Sequence, residues 1–447
     1  MSDLIYPTLD LFLYALKTSL NTTDAETKKN QAAFLAQLPP IPPNTQFQEH
    51  EGENEYLELI EPARRIDFIS QDKTLEGYYY PVRLNDTYGL QIDCSINNQT
   101  ETQSAKSFTI LKTEIEQKLN KKLAIIGQTW LLSGWLPENS SRNPEEIAKD
   151  CYYALFKDTS WQPEKGTFLD GKVFEIGRSQ YTNQSQEKVT TLLKSNQHHV
   201  VIAIYPHRES AEQAAEFYKD WMGLFCYRSK ISWAYWQSRL VKESLLNHYK
   251  KIEENRKITN QINYLQEKQN FVNSRKILNN VDNILQQYTI DLLNLSFQKQ
   301  IIEINLSNYQ LRLALIKEKA GKNNQLDFLE NFSDLANKKY LPQITKDIEN
   351  MQLGLQLLED TINVNRSRIE AEKAERDRNF QELIAVAGSV IATTSLLQSP
   401  AKDFCSKESM KDIFPKIPYF CDYPFSSSLM VGIIVGFVVW WLRKRWR

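Results

Sequence analysis

The sequence predicts an α+β membrane protein with a cytoplasmic α/β domain, a long helical and coiled-coil stalk, and two C-terminal transmembrane helices. Three observations predict it. Residues 1–206 mix short apolar runs with helical patterns, residues 224–320 contain neither glycine nor proline, and the chain closes on two uncharged stretches and a basic tail. A net charge of −1 gives no chain-wide electrostatic footprint for nucleic acid, so none is expected as a partner. A mean hydropathy of −0.50 confines any membrane part to a small share of the 447 residues.

Within 1–206, "TYGLQIDC" alternates Tyr88, Leu90, Ile92 and Cys94, the pattern of a half-buried strand. "HHVVIAIY" (198–205) is a short apolar run suited to a buried strand, and "KLAIIGQTWLLSGWL" is a third candidate, interrupted by Gly127 and Gly134. Helices are expected over "SAKSFTILKTEIEQKLNKK" and over "NPEEIAKDCYYALF", where Asn143 caps and Pro144 occupies the first turn. Residues 38–54 read as an irregular loop. The opening "MSDLIYPTLDLFLYALK" has no basic leader and carries Asp3 and Asp10, which is not a signal-peptide pattern; the amino end is expected in the cytoplasm. Cys94, Cys151 and Cys226 are widely spaced with no CxxC, the usage of buried, reduced thiols.

Residues 207–340 form the long helical region, most simply an antiparallel hairpin, with a turn at "KNNQ" after Gly321. The stalk, 341–382, carries apolar residues at steps of three and four: Leu341, Ile344, Ile348, Met351, Leu355, Leu358, Ile362 and Ile369, with Asn365 in the same track. That narrow seam fits a coiled coil, or a helix packed on one partner within its own chain. Between Asn365 and Glu382 five positive and five negative charges suit an exposed, ion-paired helix.

Two stretches are long enough to span lipid, 383–401 and 423–442. Trp440 and Trp441 stand where an aromatic belt belongs, and Arg443, Lys444, Arg445 and Arg447 form a basic tail (443–447) expected on the cytoplasmic side. Gly432 and Gly436 make a G-x-x-x-G pair for helix packing. The loop 402–422 would then lie outside, where Cys405 and Cys421 fit a loop-closing disulfide; in a reducing space they would be two free thiols. The resulting location is the plasma (inner) membrane, two-span, with both termini cytoplasmic.

Tyr423-Pro424-Phe425, the apolar stretch after it and Arg443-Lys444-Arg445-Trp446 resemble the end of CorA-family divalent-cation channels, and "TINVNRSR" (361–368) resembles part of that family's stalk. The likeness covers about 340–447 by motif, 200–340 by architecture only, and 1–200 by no motif. It implies a homo-oligomer, a pentamer in the family, embedded in a lipid bilayer, with a divalent cation and a small cytoplasmic ligand as the candidate small partners. It also implies that the first span lines a pore. Continuing the stalk seam then places Asn379, Leu383, Val386, Val390 and Thr393 near the axis, with Glu382 and Ser389 on a neighbouring track. Glu382 would ring the cytoplasmic mouth, Leu383, Val386 and Val390 would gate by dewetting, and Ser389 and Thr393 would offer hydroxyls. The family's Gly-Met-Asn signature is missing; the nearest stretch is Ser409-Met410-Lys411, whose lysine opposes a divalent cation. The function expected is therefore a cation channel or transporter gated by its cytoplasmic domain, or a nucleotide-responsive effector or sensor on the same scaffold, as in CorA-like proteins linked to CRISPR defence.

No H-E-x-x-H, P-loop or G-x-S-x-G pattern occurs, so no enzyme is expected. His198 and His199 point to opposite faces of a strand and cannot easily share a metal. Arg208 and Lys219 beside His207 read as an anion site at a helix start or as a solvated helix cap.

Overall fold

The opening apolar run is the central strand of a large sheet. The computed structural model describes residues 2–19, 22–49, 55–119, 125–138, 140–156, 161–177, 199–262 and 270–367, together with Ile384 and Trp441. In it β1 (Ser2–Leu16) lies between β7 (Thr87–Ile96) and β9 (Ile125–Trp135), antiparallel to both. The register shifts between Ile5 and Thr8, where Pro7 sits and Tyr6 takes a φ of 49°. A bulge tolerates both, because its extra residue leaves the ladder.

Beyond β9 follow β12 (His199–Tyr205), β11 (Gly171–Gly177) and β10 (Glu164–Phe168). Beyond β7 follow β6 (Leu75–Leu84) and β3 (Tyr56–Glu58), with β5 (Ile66–Ile69) also on β6 and β8 (Thr102–Ser104) on β1. These make ten strands, all antiparallel except the β9–β12 pair. β2 (Gln46–Phe47) and β4 (Ile60–Glu61) form a separate pair, inside and beside the stretch expected to be irregular. Pro81 sits in β6 between the residues paired to β5 and those paired to β3, where no ladder donor is required.

The sheet is covered on both faces. On one, Leu9, Leu11, Leu13, Leu90, Ile92, Leu132 and Ile202 meet Phe108, Leu111 and Ile115 of α2 (Ser107–Lys118) and Ile147, Cys151 and Tyr152 of α3 (Pro144–Phe156). α1 (Asp24–Leu35) adds Phe34, stacked on Tyr88 at 4.6 Å, and opens on a capping box between Thr23 and Glu26. Asn143 Oδ1 accepts from the Glu145 amide, as a cap of α3 should. Cys94, Cys151 and Cys226 are buried, as expected.

The opposite face is covered by α4 (Arg208–Ala215) and the first half of α5 (Tyr218–Ile262). The Tyr14 hydroxyl donates to the Met222 carbonyl at 2.9 Å, and Phe12 meets Phe225 edge-on. Gly127 explains how close the helix comes: a Cβ there would lie 2.4 Å from the Ser229 side chain. α6 (Asn270–Ala320) returns antiparallel, its Arg312 bonded to Asp220 at 3.2 Å. It ends at Gly321, φ 86°, whose amide donates to the Lys317 carbonyl, the turn expected there. α7 (Glu330–Leu335) and α8 (Leu341–Ser367) follow.

These described residues fall into two units, one from Met1–Leu240 and Leu295–Asp347, the other from Val241–Asn294 and Ile348–Arg447. The second is a helical bundle. Ser244 donates to Asp291 at 2.7 Å, Tyr288 donates to the Met351 carbonyl at 2.8 Å, and Leu245, Ile252, Leu285 and Leu292 are buried. Met351 and Leu358 of the expected seam are buried within this chain alone, the packing of a helix on partners in its own chain. The side chains of Ile362 and Asn365, and Ile369, lie outside the described residues.

The predicted α+β membrane class is corrected. No helix among the described residues is long and apolar enough to cross a membrane, and the described chain is a mixed α/β structure with one large sheet. The two longest helices, α5 and α6, have 45 and 51 residues, but Lys, Arg, Asp and Glu recur along both. The two-span inner-membrane location with cytoplasmic termini is corrected on the same finding. The stretches 383–401 and 423–442 lie, apart from Ile384 and Trp441, outside the described residues.

Candidate functional site

The sheet face under α4 and α5 is unusual because it is both buried and polar. Thr8, Asp10, Gln91, Asp93, Ser95, Thr129 and Glu175 are all buried on it. Alternation produces this. The residues between Leu9, Leu11 and Leu13, and between Leu90, Ile92 and Cys94, would face water in a one-sided sheet; here a helix covers them.

Asp10 and Asp93 are directly opposed across the β1–β7 pair. Gln91 Nε2 donates to Asp10 Oδ1 at 2.8 Å and to the Tyr78 hydroxyl at 3.1 Å. Thr8 and Ser95 hydroxyls pair at 2.8 Å, and the Tyr6 hydroxyl donates to Glu76 at 2.7 Å. Asp10 and Asp93 also hydrogen-bond to each other through their carboxyl groups, while Gln91 Oε1 has no hydrogen-bond partner among the described residues. Burial raises the Asp10 carboxyl above its usual range, opposed by the Gln91 hydrogen bond. Burial and then the Asp10 charge hold Asp93 well above it. Asp93 is therefore the member that keeps a proton, since two carboxylates this close and this buried do not both ionise readily.

Asp10 also lines a cavity of about 40 Å³ with Ser133 of β9, Tyr205 of β12 and Tyr218 and Trp221 of α5. α4 closes it with Ala211, Ala214 and Ala215. Burial, then the Asp10 charge, keeps the Tyr205 and Tyr218 hydroxyls protonated. The cavity is far smaller than the few hundred Å³ of an ordinary substrate pocket.

A second cluster ties α5 to the other end of the face. Glu175 Oε1 accepts from His199 Nε2 at 2.9 Å and forms an ion pair with Arg228 Nη1 at 3.0 Å, without hydrogen-bond geometry. His199 Nδ1 lies 2.9 Å from the Thr129 hydroxyl. With Nε2–H given to Glu175, Nδ1 accepts from Thr129, which defines a neutral imidazole. Burial and then the Arg228 charge lower His199 to about 4. Burial opposes ionisation of Glu175, but Arg228 and His199 outweigh it and keep its pKa low. The Phe332 ring of α7 lies 4.1 Å from the Arg228 guanidinium.

Asp93→Asn should raise the melting temperature at pH 8. The native pair holds its proton more tightly than the unfolded chain, so stability is lost as pH rises above about 4, the ordinary aspartate value, towards the raised one. The neutral variant should decline less over pH 5–8 in thermal melts; an equal or steeper decline would remove the shared proton from this account.

Of the residues singled out in the sequence, few meet at this site. Asn379, Glu382, Leu383, Val386, Ser389, Val390 and Thr393, the cysteines Cys405 and Cys421, and Gly432 and Gly436 all lie outside the described residues, as does His198. His207 is the N-cap of α4, accepting from the Ser210 amide. Arg208 pairs with Glu212 and Lys219 with Glu58, so these cations are engaged by carboxylates and the helix-cap reading holds. Asp10, Gln91 and Asp93 were missed. Their signal was present: a lone aspartate in "LDLFLYAL" and a polar set interleaved with Leu90, Ile92 and Cys94.

Among the described residues no group of three or more His, Cys, Asp or Glu side chains is placed to hold a metal ion. Comparison with protein-family models, with curated proteins and with solved structures finds no match to the chain. The resemblance to CorA-like chains therefore rests on the residues that carry it.

Proposed function

We propose that the protein is a sensor-regulator whose sheet domain responds to the charge on its buried polar face, and whose long helices carry that response into a homo-oligomeric assembly. One observation carries the reading: a buried, hydrogen-bonded acidic pair, Asp10 and Asp93, lies beneath α4 and α5 with Asp10 lining a small cavity there, and α5 runs on to Ile262. Charge placed in a low-dielectric site costs several kcal/mol unless it is matched, so a change of charge there acts on whatever seals the site. The CorA-like likeness of 340–447 supports the same division between a sensing domain and a helical transmitter. An acidic floor favours a cation or a hydrogen-bond donor over a phosphate, which favours this reading over a nucleotide-responsive one.

Amide exchange over residues 208–240, followed by mass spectrometry, tests it. After correction for intrinsic rates, wild-type protection should fall at least tenfold between pH 6 and pH 9, and Asp10→Asn and Asp93→Asn should abolish that dependence. Protection in α4 and α5 that ignores both variants would sink the reading.

A further inference from the structure

We infer that the side of α6 between Phe297 and Leu315 is the surface on which two copies of this chain pair, helix against helix and antiparallel about a twofold axis. The inference rests on the homo-oligomeric assembly proposed above and names the surface that builds it. Every residue concerned belongs to one compact unit, Met1–Leu240 with Leu295–Asp347.

One row of α6 is used inside the chain: Ile302, Leu306, Tyr309, Leu313 and Ile316 are buried. A second row stands on another side of the helix. Phe297, Ile301, Ile304, Asn308, Leu311 and Leu315 follow at alternating steps of four and three. Leu311 is 63% exposed and Leu315 44%, while the other four are half-buried. A single exposed leucine is ordinary on a protein surface. A row that keeps a heptad and holds no charge is different, because that spacing keeps one face turned towards a neighbouring helix along its length.

The row also specifies its occupant. Heptad knobs fill holes on another helix, and this row fits its own reverse. Laid antiparallel, Phe297 of one copy meets Leu315 of the second, Ile301 meets Leu311, and Ile304 meets Asn308, so each layer is filled. The two Asn308 side chains then lie on either side of the axis, where a core asparagine fixes register. Glu318 is the next position of the row. Parallel pairing would set two Glu318 carboxylates against each other, at a cost that antiparallel pairing avoids by sending them to opposite ends. Gln300, Ser307 and Ala314 border the row on its solvent side; none is charged and two are small, so a second helix meets neither repulsion nor bulk. On the other border, Arg312 of one copy comes close to the level of Gln298 of the second. Gln298 Oε1 has no hydrogen-bond partner among the described residues, and a guanidinium has donors beyond the one that Arg312 gives Asp220. The contact uses the same patch on both copies and closes on itself, so it makes a dimer.

Light scattering of the full chain over the micromolar range tests the surface. Wild type should show twice the chain mass. Leu311→Glu with Leu315→Glu should weaken the pairing at least tenfold and return the chain mass, with an unchanged circular dichroism spectrum, because both leucines are exposed in the single chain. If that variant does not fold, Ala314→Arg on the exposed border decides in its place and should likewise weaken the pairing. Orientation is read by oxidative cross-linking against a wild-type control. Leu311→Cys mixed with Ile301→Cys should link, and Leu311→Cys alone should not; linkage of Leu311→Cys to itself would overturn the antiparallel register. An oligomer whose mass these variants leave unchanged, such as the fivefold ring that the CorA-like resemblance implies, would overturn this surface and leave the homo-oligomeric reading standing. A wild-type monomer throughout would overturn both. The sensing role is judged separately, by amide exchange over residues 208–240.

Discussion

Arg228→Ala is expected to cost about 3–5 kcal/mol of stability, a drop in melting temperature on the order of 10 °C. The reason is what the substitution leaves behind. Glu175 has a side-chain exposure of 4%, and Arg228 is its cationic partner at 3.0 Å. Without the guanidinium, a carboxylate stays buried with only a neutral imidazole beside it. Arg228 also contributes packing against Phe332, so the loss has an apolar part. The paired variant Glu175→Leu with Arg228→Met separates the two effects. Removing both charges together avoids the stranded ion and should recover most of the loss. Denaturant titrations of the singles and the double give the coupling directly. An Arg228→Ala cost below about 1 kcal/mol would show that the pair is solvated and not sealed under α5.

Acid should unfold the sheet domain through His199. Its native value is lowered to about 4, against about 6.5 for an exposed imidazole, so the unfolded chain takes up the proton first. The stability that the neutral imidazole contributes is fully present above about pH 6.5 and is lost as pH falls towards 4. The shift corresponds to about 3 kcal/mol over that window. Glu175 adds to the loss only lower down, because a carboxyl whose pKa is held low gives up its contribution below its unfolded value of 4.5. His199→Gln should start less stable at pH 7 and show a pH slope smaller by about one proton between pH 6.5 and 4. An unchanged slope would place the acid response elsewhere.

The two clusters do different work on one face. The Glu175 group fastens α5 to β11 and β12 through matched charges. The Asp10 group leaves a proton-sharing acidic pair beneath the same helix some seven residues nearer its start, where Trp221 and Tyr218 line the cavity. A fixed end and a responsive end are what a lever requires, and this arrangement underlies the sensing role proposed for the domain.

Local pattern alone determined a good deal here. Alternation in "TYGLQIDC", the apolar run "HVVIAIY" and the Asn143-Pro144 start each specify an element by nearest-neighbour physics, and each is where it was expected. The absence of glycine and proline over 224–320 likewise leaves helix as the natural state, and Gly321 ends it. Tertiary structure decided the rest. An aspartate in "LDLFLYAL" says nothing by itself about whether its face meets water; that depends on α5, more than 200 residues later, lying over it. The same holds for Glu175, His199 and Arg228, which sit on two strands and a helix and share no motif. Periodicity assigns a residue to a face, but only the assembled sheet and its covering helix determine that both faces are dry, and it is dryness that turns ordinary side chains into a site.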